Sequence, residues 1–282
     1  MLLGEIIGYN GDIITLQEVD REVFLRDLKP ILDSFGMSGM FKNKVDVDEG
    51  LATFYRREKF KQISYSWRCL SDALNEDEDF EYILKKVKVN PDLFLSLTIQ
   101  NKIVTVLVLQ HIATGNLLIV GNTHLYHKAT ANHIKLLQTE ICRKILEQKR
   151  MDIEKDYPKN KVAVMFNGDF NSTHDSAVVE YLNSGFIGSD HSDWQSEEGE
   201  EVEGLELKHE PIFFSAAGMP KYTNYTLDFK DCLDYCWIEK SKMEVTQVVP
   251  LPSEEELSQF EALPNIEFPS DHVALVFDVK FL

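Results

Sequence analysis

Cysteine is scarce in this chain: Cys69, Cys142, Cys232 and Cys236 are all that 282 residues contain. No two form a C-x-x-C pair, which excludes a zinc cage and a disulfide scaffold and suits a reducing compartment. Cys232 and Cys236, four apart, read as small apolar side chains on one face of a strand. Positive charge is also short, with 29 Lys and Arg against 47 Asp and Glu and a net charge of −18. A broad basic surface that grips phosphates by counterion release is thereby excluded. A nucleic-acid partner would need its phosphate neutralised by other means, a bound metal ion first among them. No apolar run approaches the roughly 18 residues of a transmembrane helix. MLLGEIIGYNGDIITL carries neither a signal peptide's basic start nor a transit peptide's Arg/Ser bias. What is present is 44% hydrophobic and 11% aromatic, enough for one large core or two modest ones.

The periodicity predicts a strand over 13–19, a helix over 21–35 ending near Gly36, and a strand over 51–55. Runs 94–99, 103–111 and 117–123 read as an antiparallel meander with turns at Asn101-Lys102 and Thr114-Gly115-Asn116. Ile134, Leu137, Ile141 and Ile145 give 133–148 a helical stripe. Strands over 162–166, 232–238 and 272–281 complete an α/β layered sandwich with mixed sheets, one domain over 1–282. The acidic stretches 72–81 and 193–210 read as solvated loop insertions that carry much of the negative charge.

Polar residues punctuate these strands at recurring places. Glu18 follows IITLQ, His124 follows LLIVGNT, and Asp169 and Asn171 follow VAVMFNG. Asp234 lies within CLDYC, and Asp271-His272 precedes VALVFDV. Taken singly, each has an ordinary reading as a surface Glu, a satisfied His or an Asx turn. A carboxylate within an apolar strand is nonetheless costly without a cation or donor. Five strand ends aimed at one rim therefore point to a site.

LQEVD, NTHLY, NGDFNS, TNYTLDF, CLDYCWI and FPSDHVALVFDV, in that order, resemble the motifs of the endonuclease/exonuclease/phosphatase superfamily in its deadenylase branch. EGLATFYRR and VTQVVPLPSEEELSQFEALPNIEFPSDH bring the likeness closer to the mitochondrial 2′,5′-phosphodiesterases that also trim poly(A). The resemblance implies a four-layer α/β/β/α sandwich and an exoribonuclease that releases 5′-AMP from the end of 2′,5′-oligoadenylate or poly(A). It implies Glu18 as ligand of Mg²⁺, with Mn²⁺ as substitute. Asp169 would position or deprotonate water, Asn171 would donate to a phosphate oxygen, and His272 would bind the phosphate. Asp234 would orient His272, His124 would be a second phosphate contact, and Asp271 would help at the metal. Asn224 and Phe229 match positions that contact and stack on adenine, a mode that needs no basic surface.

The partners implied are RNA or oligoadenylate ends, not DNA or a membrane. The protein would be a monomer in the mitochondrial matrix, the cytoplasm being the alternative. Two departures stand out. His127-Lys128-Ala129 replaces a Trp-x-Pro stretch, so Ala129 stands where relatives place the adenine-clamping proline. Relatives also carry a strand with an Asn well upstream of LQE, whereas Met1 stands shortly before Glu18. The expectation is therefore a sheet lacking its first strand, poorly stable and weakly active alone. Rival readings are a 3′,5′-only deadenylase, another superfamily phosphodiesterase, and an inactive RNA- or partner-binding chain.

Overall fold

The computed structural model describes residues 1–45, 47–210 and 212–282. Helix α1 (Leu2–Tyr9) leads into β1 (Ile13–Asp20), and a continuous helical segment follows as α2 (Arg21–Val23), a π turn over Phe24–Leu28, and α3 (Lys29–Ser34). Then come β2 (Met37–Asn43), β3 (Glu49–Arg56), β4 (Phe60–Cys69), α4 (Leu70–Glu76), α5 (Glu81–Val87) and α6 (Pro91–Thr98). The centre holds β5 (Ile103–His111), β6 (Leu117–His124), the 25-residue α7 (Asn132–Asp156), β7 (Val162–Asp169) and α8 (Ala177–Ser184). Short strands follow: β8 (Phe186–Ile187), β9 (Leu207–Lys208), β10 (Phe213–Ser215), β11 (Asn224–Tyr225) and β12 (Lys230–Asp231). The chain closes with β13 (Asp234–Glu239), β14 (Met243–Val248), α9 (Glu254–Leu257) and β15 (Phe277–Phe281).

A six-stranded sheet ordered β10-β13-β7-β6-β5-β4 forms the frame. Its pairs are antiparallel except β6–β7, which are parallel and joined over the top by α7, as a parallel crossover requires. On one face, Ile134, Leu137 and Ile141 of α7 pack with Val106, Ile119 and Phe166. On the other, Leu107, Leu118, Val120 and Met165 meet Ile13 and Met40 of one small sheet and Phe277 and Val279 of another. These are β1-β3-β2 and β14-β15, and beyond the first lie Ile6, Phe24, Leu28 and Leu32 of the outer helices. The order is helix, sheet, sheet, helix, as the motif order implied. Among the described residues, β1 and β15 each keep one unpaired edge.

Several expectations change. Residues 94–99 lie in helix α6 and its C-cap, not in a strand. Asn90 accepts hydrogen bonds from the N–H groups of Asp92 and Leu93, Pro91 opens the first turn, and Leu93 and Leu97 bury one helical face; this capping outweighs an apolar run. Asn101-Lys102 accordingly joins a helix to a strand. Residues 72–81 are helical, not a loop insertion, because Ala73, Leu74 and Phe80 bury into the core between the acidic side chains. Residues 193–210 are mostly irregular, yet Trp194, Val202 and Leu205 anchor them. The last strand is shorter than expected, since pairing with β14 begins at Phe277.

Candidate active site

The site begins with strand register. His124 lies opposite Asp169 in the parallel β6–β7 pair, and Asp234 lies opposite Asp169 in the antiparallel β7–β13 pair. Three reactive side chains thus stand in a row across neighbouring strands. Nε2 of His124 is 3.5 Å from Oδ2 of Asp169. His272 reaches the row from the segment before β15, through an isolated bridge to Asn224, and its Nδ1 sits 2.6 Å from Oδ2 of Asp234.

Each group's charge follows from its surroundings. Burial alone would lower the His272 imidazole, but the hydrogen bond and charge of Asp234 outweigh it and raise its pKa to about 9. Burial pushes the Asp169 carboxyl upward, and neighbouring Asp234 pushes it further. Burial, with Lys44 and Lys102 nearby, drives His124 down to about 2, so that imidazole is neutral at working pH. These are opposite shifts a few ångströms apart, the pattern that separates an acid from a base.

A second group faces this row from β1. A bulge between Leu16 and Val19 shifts the register, and Glu18 takes φ +54°. Bulges re-aim side chains in this way, and left-handed backbone at a non-glycine residue is a strained conformation found at functional sites. Asn122, fully buried in β6, fastens the bulge: its Nδ2 donates to the carbonyls of Leu16 (3.2 Å) and Ala52 (3.1 Å), and its Oδ1 accepts from Gln17 (2.7 Å). Oε1 of Glu18 lies 3.8 Å from Nδ1 of His124. Lys44 forms an ion pair with Glu49 at the start of β3 and lies 3.4 Å from Nδ1 of His124. Burial and Lys44 lower the Lys102 ammonium to about 8.

Ligand atoms of Glu18, Glu49 and His124 fall within 4.8 Å of one another, as do those of Asp169, Asp234 and His272. The first set fits a divalent cation better. Both offer two carboxylates, which a hard ion favours, but in the first Glu18 is largely exposed to an entering ion. In the second, His272 is already committed to Asp234.

The rim holds the remaining expected residues. Asn171, at φ +49°, donates its backbone N–H to Asp169 (2.8 Å) and its Nδ2 to the Leu125 carbonyl (3.2 Å). Asn224 is buried and donates to Oδ2 of Asp271 at 3.3 Å. Asp271 belongs to neither candidate cation group; its Oδ2 instead accepts the Asn224 hydrogen bond. Phe229 is 40% exposed on a turn closed by hydrogen bonds to Thr226, and is no core aromatic. Ala129 is exposed beside Lys128 and Thr130, both bound to Glu197 of the acidic loop.

Sequence reasoning missed Glu49, Lys44 and Asn122. Glu49 opens an apolar strand, the signal that found the others, and Asn122 interrupts the apolar run LLIVG. Lys44 carries no local signal.

The profile of the family described as Endonuclease/Exonuclease/phosphatase matches residues 2–272. The chain belongs to that family. It is 41% identical over 278 residues to the Mus musculus 2′,5′-phosphodiesterase 12, covering 98% of this chain and 45% of that relative. It is 28% identical over 307 residues to the Saccharomyces cerevisiae CCR4-Not complex 3′-5′-exoribonuclease subunit Ccr4, covering 99% of this chain and 34% of that protein. The chain spans about half the length of the phosphodiesterase relatives it matches. Among solved structures, ANGEL2, a 2′,3′-cyclic phosphatase, superposes with a TM-score of 0.76 at 20% identity over 98% of this chain and 84% of that one. At that identity the likeness establishes the fold of this family and no more.

Proposed function

We propose that this family member is a Mg²⁺-dependent exoribonuclease and phosphodiesterase that cuts the terminal linkage of 2′,5′-oligoadenylate and of 3′,5′ poly(A), releasing 5′-AMP. The observation that carries the reading is the row His124, Asp169 and Asp234 with His272 bonded to Asp234. The names of the phosphodiesterase and Ccr4 relatives support the two linkages.

Glu18 and Glu49, with His124 beside them, would hold the ion, and Mn²⁺ suits the same donors. Once bound, the ion supplies charge that offsets the scissile phosphate and the leaving oxygen. Asp169, its carboxyl raised by burial, accepts the proton of the attacking water. Asp234 fixes His272 through Nδ1, leaving Nε2–H free to donate to the phosphate while the ring is cationic. His124, neutral, adds one hydrogen bond, and Asn171 helps orient Asp169 through its backbone N–H. Asn224 reads the terminal base, and Phe229 stacks on it.

The natural partners in this reading are RNA or oligoadenylate ends, with no DNA or membrane, and the protein works as a monomer in the mitochondrial matrix. Fractionating cells that express the natural gene product, and sedimenting that product, check those two points. The decisive experiment incubates the protein with 2′,5′-triadenylate and with decaadenylate in Mg²⁺. 5′-AMP is expected from both, and Asp169→Ala should release none. Failure to cut either substrate, or an active Asp169→Ala variant, overturns the reading.

A further inference from the structure

Beneath the two loops that flank the reacting row lies a buried cation that the chemistry above leaves unused. Lys135 sits in the opening turns of α7 and is only 2% exposed, near a helix end whose dipole disfavours positive charge. Burial lowers its ammonium to about 8, so it stays largely charged at neutral pH. Among the described residues it forms no ion pair. Its Nζ donates instead to the carbonyl of Asn171 at 2.7 Å and, more weakly, to that of Ala129 at 3.5 Å. A buried ammonium held only by neutral carbonyls costs stability that an apolar side chain of similar length would not. Stability of the fold therefore does not account for a lysine at this place.

What the lysine holds is a strained residue. Asn171 has left-handed backbone at φ +49°, and such a conformation persists only where its surroundings fix it from several sides. Three contacts do so: its N–H reaches Oδ1 of Asp169 at 2.8 Å, its Nδ2 reaches the Leu125 carbonyl at 3.2 Å, and its own carbonyl receives Lys135. The first and last of these grip the peptide units on either side of the Asn171 Cα. Leu125 belongs to a loop, whereas Lys135 rides on a 25-residue helix. Without that anchor the peptide unit after Asn171 can turn, the left-handed residue relaxes, and the N–H that steadies Asp169 is withdrawn.

We propose that Lys135 is a positioning residue: from α7 it locks Asn171 in its left-handed form and so holds the Asp169 carboxylate where it takes a proton from the attacking water. The inference rests on the hydrolase reading above. Lys135 gives up no proton in the reaction and acts through Asn171, while its longer bond to Ala129 ties the neighbouring loop to the same anchor.

Lys135→Met and Lys135→Arg separate this role from plain anchoring of the fold. Amide hydrogen exchange without substrate, melting temperature and hydrolysis of decaadenylate in Mg²⁺ are the readouts. In Lys135→Met, exchange within 170–176 should rise at least about tenfold while that of 162–168 stays put. Its melting temperature should hold or rise, and its kcat should fall about 10- to 100-fold at unchanged KM. Lys135→Arg should restore both the protection and kcat. Unchanged exchange within 170–176, or a Met variant with the kcat of wild type, overturns the proposal. So does a Met variant that melts lower and exchanges faster along the whole chain, which would mark Lys135 as structural. If the Met variant does not fold, Lys135→Gln, which keeps a donor without the charge, takes its place against Lys135→Arg. Wild type that cuts neither oligomer sinks the hydrolase reading, and the exchange result then decides by itself whether Lys135 locks Asn171.

Discussion

The row His124–Asp169–Asp234 and the opposing Glu18–Glu49 side are built by different means. The row sits on three adjacent strands of the central sheet, its spacing fixed by backbone ladders, and His124 and Asp169 are almost wholly buried. The facing side belongs to a separate three-stranded sheet and depends on a bulge, a left-handed Glu18 and one buried asparagine. Register makes the first group rigid without help, whereas the second is positioned by side-chain hydrogen bonds between layers. In the proposed reading, the proton acceptor Asp169 stands on the rigid side, and Glu18, the exposed carboxylate offered to an ion, stands on the adjustable one.

Substitutions can break each side separately. Asp169→Asn should have the largest effect, lowering kcat by about 10³-fold or more without loss of fold, as read by single-turnover hydrolysis and circular dichroism. Glu18→Gln should cost about 10- to 100-fold at low Mg²⁺ and recover in part as Mg²⁺ rises. A loss that Mg²⁺ cannot recover would remove Glu18 from the metal. Asp234→Asn acts through His272. Because the imidazole is raised from 6.5 to about 9 in the folded state, its stabilising contribution is complete below pH 6.5 and disappears as pH climbs through 9. The variant should lose that decline in melting temperature, and its alkaline activity limit should fall toward 6.5. Asn122→Ala should cost about 2 kcal/mol of stability by orphaning buried carbonyls, and should weaken Mg²⁺ dependence while leaving the Asp234–His272 pair's pH profile alone. Phe229→Ala should be smallest, raising KM about tenfold through lost stacking with no change in melting temperature.

The contrast also explains what the sequence disclosed. His124, Asp169 and Asp234 were legible because a polar residue at the end of an apolar strand is visible one segment at a time. The layered architecture was legible from alternating strand and helix periods. Helix α6 was not, because FLSLTI suits strand and helix alike, and only the Asn90 cap and Pro91 decide between them. The acidic 72–81 run hid helices whose buried residues are spaced between charges. Lys44 was out of reach, since its role comes from distance to other segments. The bulge at Glu18 depends on Asn122, more than a hundred residues away.

The single parallel pair in the central sheet has a consequence for how such enzymes diversify. Because β6 and β7 run the same way and β13 runs against them, two strands finish and one starts at the same rim. The loops that leave or approach that rim, 125–131, 170–176 and 216–233, can change length and composition while the reacting atoms stay pinned to the ladder. Ala129 and Phe229 lie on such segments, and Asn224 lies on the short strand β11 within the last of them. In the proposed reading, substrate preference can therefore drift by loop replacement while the reacting groups on the ladder are inherited intact, as a tool keeps its handle when its bit is exchanged.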